Sequence, residues 1–321
     1  MRVAQLALVL AALLPPAALA QGTQGTYPTH PLRLVVASSP GSGVDTVARL
    51  VASRMSESLG TQLVIDNRPG GGGGVGVLHV AKSLPDGYTL LMAAPSFTIA
   101  PSLARELPYD PLRDFTAVGQ ATTGYYVIVV HPALPATNVK ALIALARARP
   151  GQLNYGSGGQ GNSTHLAMAY FSSLAGIDIV HVPYKGSGNA VTDLIAGQIQ
   201  LMFANVTAAV PHLKTGRLRA LATSGEARSL ALPQLPTVAE SGVPGYAVTS
   251  WFGLLAPART APEVIARLNS VLAQAMAARD MRDKLAVEGA EPAPGTPVAF
   301  ARHLQREVAI WAKVAKAAGV Q

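Results

Sequence analysis

Leu34-Val35-Val36-Ala37-Ser38-Ser39-Pro40-Gly41-Ser42-Gly43 decides the fold, because the chain writes a version of it twice. After the first copy comes a helical run ending Ser58-Leu59-Gly60, then Leu63-Val64-Ile65. The second copy reads Leu153-Asn154-Tyr155, then Gly156-Ser157-Gly158-Gly159-Gln160-Gly161-Asn162-Ser163. It continues with a helical run ending Ser173-Leu174-Ala175-Gly176 and then Ile177-Asp178-Ile179-Val180. Both copies lead into a loop with proline, a basic residue and glycine: Arg68-Pro69-Gly70, and Pro183-Tyr184-Lys185-Gly186. Both then reach a strand containing Leu-Met, at Leu91-Met92 and Leu201-Met202. An aliphatic strand, a Ser/Gly loop and an amphipathic helix, used twice, make two similar α/β lobes. Each lobe presents a Ser/Gly loop at a helix start. Two such loops facing one cleft grip a small anion from both sides.

The flanking sequence fills in each lobe. Leu32–Val36 is the aliphatic run of a buried parallel strand. Val44, Val47, Ala48, Val51, Met55 and Leu59 form one helical face, with Ser42 as N-cap and Gly60 as stop. A helix over about Val75–Ser83, a turn at Pro85-Asp86-Gly87 and a strand over Tyr88–Ala93 complete βαβαβ, which predicts parallel pairing with right-handed crossovers. Tyr125–Val130 opens the second module, followed by a helix over Val139–Arg149 capped by Thr137. After a strand at Leu218–Ala222, residues 225–246 are rich in Pro and Gly and read as an extended connection. Ser250–Leu255 then crosses back between lobes. Thr260-Ala261-Pro262-Glu263 and Thr296-Pro297 start two further helices that pack on the first lobe. The expected division is residues 21–124 with 247–321 in lobe 1 and 125–246 in lobe 2. The chain then crosses a hinge twice.

The N-terminus and the composition set the compartment. Arg2, an apolar run from Leu6 to Leu14, and Ala18-Leu19-Ala20-Gln21 read as a secretory signal over residues 1–20, cleaved near Ala20. That run is too short for a membrane span, and no later stretch has the roughly 20 apolar residues one requires, so no membrane insertion is expected. With 0 cysteines there is no disulfide, thiolate metal site or Cys nucleophile. Of the formal charge of +8, Arg2 in the signal supplies one unit. The remaining basic residues are scattered and aromatics are 5% of the chain, a pattern that excludes a nucleic-acid platform. The 7 histidines lie apart without H-E-x-x-H, so no metal is expected.

With its motifs in order, the chain resembles the Bug family of extracytoplasmic solute receptors, the TctC-like substrate-binding proteins of tripartite tricarboxylate transporters. The resemblance spans essentially the whole mature chain. It rests on Tyr27-Pro28, Pro31–Val36, Val64-Ile65-Asp66-Asn67-Arg68-Pro69-Gly70, Ala81-Lys82 with Pro85–Leu91, and Leu107-Pro108-Tyr109-Asp110-Pro111. Further matches are Pro150–Tyr155, His181-Val182-Pro183-Tyr184-Lys185-Gly186, Leu235–Glu240 and Trp251–Pro257. It implies a two-lobed, type II-like periplasmic-binding-protein fold with the ligand in the interlobe cleft, each lobe a mainly parallel sheet flanked by helices. It also implies a small carboxylate ligand, no cofactor, a periplasmic monomer, and delivery to a membrane permease of the tripartite type or to a sensor protein.

By the same resemblance, the first-loop contacts are Ser38, Ser39, Gly41, Ser42 and Gly43. Those of the second loop are Ser157, Gly161, Asn162, Ser163 and Thr164. Ser96 and Thr98 form one further wall, Ala204 and Asn205 another, and Tyr184 lines the cleft or packs. The chemistry agrees: helix N-termini present unsatisfied N–H groups, the helix dipole favours anions there, and hydroxyls add donors. Two departures stand out. Many members carry an aromatic residue and Pro-Ala-Gly-Gly where this chain has Ser38-Ser39-Pro40-Gly41-Ser42, and an acid where it has Ala204. The missing acid argues against a ligand amine. Ser42 and Ser163 also read as N-caps, Asp45 and His165 as structural residues of the first helical turn, and Arg68 and Lys185 either as groups that attract anions or as loop-ordering groups. Gly71–Gly76 fits G-x-G-x-x-G but lacks the acid a dinucleotide site needs after the next strand, and reads as a flexible glycine loop. No G-x-S-x-G elbow occurs, so a lipase-like hydrolase has no support, and a secreted hydrolase acting on a small ester or amide is the enzyme-class alternative to a receptor.

Overall fold

β1 (Leu32–Val36), β2 (Leu63–Asn67) and β3 (Thr89–Ala93) of the computed structural model pair in parallel in the order 2-1-3. The structure describes residues 27–104, 106–184, 186–229, 231–287 and 289–317. The expected signal segment and Lys185 lie outside the described residues. α1 (Gly43–Leu59), α2 (Gly74–Ala81) and α3 (Pro95–Leu103) follow the three strands in turn. α1 buries Val47, Ala48, Val51, Met55 and Leu59 against the sheet and ends on Gly60, whose φ of 69° suits glycine.

β4 (Phe115–Val130) is a single 16-residue strand that runs through both lobes. In the second lobe, α4 (Val139–Ala148), β5 (Asn154–Ser157), α5 (Ser163–Ala175), β6 (Val180–Pro183), α6 (Ser187–Ile195), β7 (Leu201–Asn205), α7 (Val206–Lys214) and β8 (Arg219–Thr223) follow in order. β5 pairs in parallel with β6 and β7, repeating the first lobe's arrangement. β7 and β8 flank the second half of β4, both antiparallel to it.

The chain then returns along β9 (Thr249–Pro257), which lies between β3 and the first half of β4. α8 (Pro262–Ala277), α9 (Arg279–Val287), β10 (Ala290–Pro292) and α10 (Pro297–Ala317) close the chain. The result is the two-lobed α/β fold expected from the sequence, with each sheet mixed where β4 and β9 enter.

The two crossing segments are tied by one buried hydroxyl. Ser224 Oγ accepts the Tyr126 N–H at 2.9 Å and donates to the Val248 carbonyl at 2.6 Å. Backbone bonds from Ser224 to Tyr126 and from Val248 to Ser224 complete the knot. Two helices also straddle the lobes. In α10, Phe300 and Leu304 pack with Trp251 in the first lobe, while Trp311 and Val314 join the second-lobe core with Phe171 and Phe203. Ile99 of α3 enters that second core as well.

Local details depart from the sequence reading. α4 is capped by Asn138, whose side chain accepts the Ala141 N–H at 2.9 Å, and not by Thr137. Residues 177–179 are not strand. The Ile177 N–H still closes on the Ser172 carbonyl around Gly176, so Ile177 belongs to the helix cap and the strand begins at Val180. Asn162, not Ser163, caps α5. α8 starts without a side-chain cap; the Thr260 hydroxyl donates to the Pro257 carbonyl at 2.8 Å.

Candidate binding site between the lobes

The two repeated loops share one construction. In the first, Gly41 has φ 79°, Ser42 caps α1, and the buried Asp45 carboxylate accepts the Gly41 N–H at 2.8 Å. In the second, Gly161 has φ 72°, Asn162 caps α5, and the buried His165 Nδ1 accepts the Gly161 N–H at 3.1 Å. Each loop turns through a left-handed glycine and is pinned to the first turn of the helix it opens. A residue with a Cβ is strained at such a φ.

A network of neighbours stiffens both loops. The Asn67 amide donates to the Ser38 carbonyl at 3.2 Å and to Asp45 Oδ1 at 2.9 Å, and Arg49 Nε donates to Asp45 Oδ2 at 2.9 Å. Burial pushes the Asp45 carboxyl up, but the bonds from Arg49, Gly41 and Asn67 outweigh it and hold the group below the usual carboxylate range. In the second loop, Thr164 Oγ1 accepts the Gly158 N–H at 3.0 Å and donates to Asn162 Oδ1 at 3.0 Å. Ser157 Oγ accepts the Gly159 N–H and lies 2.6 Å from His181 Nε2. The Tyr126 hydroxyl, from β4 at the hinge, donates to Ser163 Oγ at 2.9 Å.

A cavity of about 340 Å³ opens beside the first loop. It brings together Ser38, Ser39 and Ser96 of the first lobe and Asn162 of the second. Its apolar walls include Ala37, Val44, Val77, Met92 and Phe97, and among the described residues no charged side chain lines it. Gly70, Gly72 and Gly73 form a third wall that the sequence reading missed, having taken this run as a flexible loop. The signal was present in the spacing. Gly76 seats α2 against the end of β1, where an added Cβ would lie 2.9 Å from Ala37 Cα. Glycine there lets the loop sit against the site. The lobes meet beside this cavity: a Cβ on Gly161 would lie 2.6 Å from Leu103 Cδ1 of α3.

A smaller cavity of about 50 Å³ at the hinge takes in Gly43 and Asn205 together with Thr122–Tyr125 and Ser250. Gly41, Ser42, Thr98, Ser157, Gly161, Ser163, Thr164, Tyr184 and Ala204 line neither space. Several of these are buried or have their polar groups engaged within their own lobe. Thr98 and Ala204 are fully buried, and the Thr98 hydroxyl is used on the Pro95 carbonyl at 3.0 Å. The Tyr184 hydroxyl donates to Asp193 at 2.9 Å. Arg68 holds Asp66 at 2.8 Å, a loop-ordering bond. A larger groove of about 630 Å³, bounded by Pro101, residues 107–113 and Val308, includes none of the predicted residues. Among the described residues, no group of three or more His, Asp or Glu is placed to hold a metal, and no helix is long and apolar enough to cross a membrane.

Residues 47–320 match the family described as tripartite tricarboxylate transporter family receptor. Protein BugT of Bordetella pertussis is 36% identical over 298 residues, covering 92% of this chain and 91% of its own. A protein of R. palustris solved with adipate is 40% identical, with a TM-score of 0.81, covering 91% of this chain and 98% of its own. MatC from Rhodopseudomonas palustris, solved with bound malate, is 30% identical, with a TM-score of 0.78, over 90% and 99% of the two chains.

Proposed function

Because the chain belongs to the tripartite tricarboxylate transporter receptor family, we propose that it captures a small carboxylate between its lobes and delivers it, outside the inner membrane, to a permease of that transporter class. The family is one of solute receptors, not enzymes, which removes the hydrolase alternative. The observation that carries the reading is the cavity of about 340 Å³ in which Ser38, Ser39, Ser96 and the glycine wall of one lobe face Asn162 of the other. Hydroxyls, an amide and backbone N–H groups are donors suited to a carboxylate, and neutral donors of this kind hold it without a fixed salt bridge, which keeps the ligand releasable. The apolar walls suit a ligand with a short aliphatic body, in keeping with the adipate and malate held by the similar proteins.

In this mechanism the carboxylate meets the open form and draws the lobes together, by as much as its affinity for the closed form exceeds that for the open one. The closed surface is what the permease recognises. Native mass spectrometry of freshly purified protein, followed by calorimetric titration with adipate and malate, tests the reading. Saturable 1:1 binding without turnover is expected. Ser96→Trp, at an exposed position on the cavity wall, should abolish it while leaving the melting curve unchanged. Failure of the unmodified protein to bind any small carboxylate below millimolar concentration would overturn it.

A further inference from the structure

We propose that His165 is a positioning residue for the second-lobe loop, and that its neutral imidazole makes ligand capture pH-gated: acidification releases the Gly161 turn and with it Asn162. The inference rests on the receptor reading above, but the device itself is independent of which ligand binds.

The geometry assigns the tautomer. Gly161 N–H points at His165 Nδ1 from 3.1 Å, so Nδ1 is the acceptor and the ring proton sits on Nε2. An imidazolium carries protons on both nitrogens, so charging His165 sets N–H against N–H and removes the bond. The other side of the ring is equally hostile to charge. His165 and His181 stack with centroids 3.9 Å apart, so a cation on either opposes one on the other. Tyr155 of β5 stacks on both, at 6.4 and 4.9 Å. Ser157 Oγ of β5 lies 2.6 Å from His181 Nε2, and beside the ring the hydroxyls of Ser163 and Thr164 on α5 are engaged by the Tyr126 hydroxyl and the Gly158 N–H. Beyond β6, the Tyr184 hydroxyl donates to the Asp193 carboxylate of α6 at 2.9 Å.

Burial pushes His165 down from its ordinary range, and burial together with His165 pushes His181 to about 4. The sign follows. The ordered loop binds fewer protons than the released one, so its stability is complete above the free-histidine value of roughly 6.5 and is lost progressively as pH falls below it. The first lobe behaves differently. Asp45, in the equivalent place, is already ionised and stays so through that window. One half of the site therefore lets go in acid while the other remains built.

The test has two arms on the full-length mature protein. In the first, the ¹H–¹⁵N signal of the Gly161 amide is followed without ligand from pH 8 to pH 4, in the unmodified protein and in His165→Asn, whose side-chain oxygen keeps an acceptor but does not titrate. In the second, adipate affinity is measured by calorimetry over the same range. The proposal expects the Gly161 amide to shift with a midpoint below 6.5 in the unmodified protein and to stay flat in the variant. It also expects the ratio of unmodified to variant adipate affinity to fall about tenfold between pH 7.5 and pH 4.5, the ratio cancelling adipate's own titration. A Gly161 signal that stays flat in the unmodified protein overturns the proposal, as does an identical pH dependence of affinity in both proteins. Absence of adipate binding at every pH counts against the receptor reading with this probe, and the Gly161 signal then decides on His165 alone. Should His165→Asn fail to fold, the Gly161 titration of the unmodified protein decides in the same way.

Discussion

Trp251 and Trp311 donate their indole N–H groups to the same oxygen, Glu307 Oε2, at 3.2 and 2.8 Å. Trp251 belongs to β9 in the first lobe, and Trp311 packs in the second-lobe core. These are the 2 tryptophans of the chain. A buried carboxylate on α10 thus clasps one aromatic from each side of the hinge. Intrinsic fluorescence therefore reports directly on lobe movement.

Burial holds the Glu307 carboxyl above its ordinary range, against the pull of the two indoles. A raised carboxyl favours the folded state below the unfolded value and loses that contribution as pH rises through the folded value. Glu307→Gln keeps an acceptor but no longer titrates. Its Tm is expected to fall less between pH 5 and pH 8 than that of the unmodified protein, measured by thermal unfolding at low salt. An equal fall in both proteins would show that Glu307 does not set the trend.

Ser224→Ala removes the hydroxyl that joins Tyr126 to Val248 at the hinge. The Tyr126 N–H and part of the Val248 carbonyl's bonding are left unsatisfied in a buried place. Urea unfolding should show a loss of about 1–3 kcal/mol. Thermal factors or hydrogen exchange should rise first at residues 124–126 and 248–250. A change below about 0.5 kcal/mol would mean the backbone bonds alone hold the hinge.

Gly76→Ala places a methyl against backbone, 2.9 Å from Ala37 Cα and 3.0 Å from the Arg68 carbonyl. Neither atom belongs to a side chain that can rotate away. The expected cost is about 1–3 kcal/mol of stability. Because α2 then lifts from β1, the glycine wall moves and adipate affinity falls as well. Unaltered affinity in calorimetry would detach Gly70–Gly73 from the site.

Asp45→Ala strips the acceptor from Gly41, Asn67 and Arg49 at once. A loss of about 2–3 kcal/mol is expected from breaking charge-assisted bonds to a buried group. The equivalent Gly161 amide in the second lobe should keep its chemical shift, since the two loops are built separately. A shift at Gly161 would show that the lobes are coupled through the cleft.

The repeat made the site legible in outline. Gly41-Ser42 with Asp45, and Gly161-Asn162 with His165, stand at matching places in the two copies, so both loops and both helix starts could be read directly. Three features escaped. β4 breaks its alternation with register shifts near Val118 and Ala121, so a strand shared by both lobes looked like the start of a new one. α10 carries an unbroken apolar stripe, and nothing in such a stripe says that Phe300 and Trp311 bury into different cores. Gly70–Gly73 looked like slack chain, because a wall made of backbone leaves no side-chain signature.

The account depends above all on one carboxylate touching both lobes. A crystal structure of the protein grown with the carboxylate it binds most tightly in calorimetry measures this directly. The account predicts density beside Ser38, Ser39 and Ser96, with one carboxylate oxygen within hydrogen-bonding distance of the Asn162 side chain or of the backbone beside it. Density lodged elsewhere, such as the groove between Pro101 and Val308, with the space beside Asn162 filled by solvent, would contradict it.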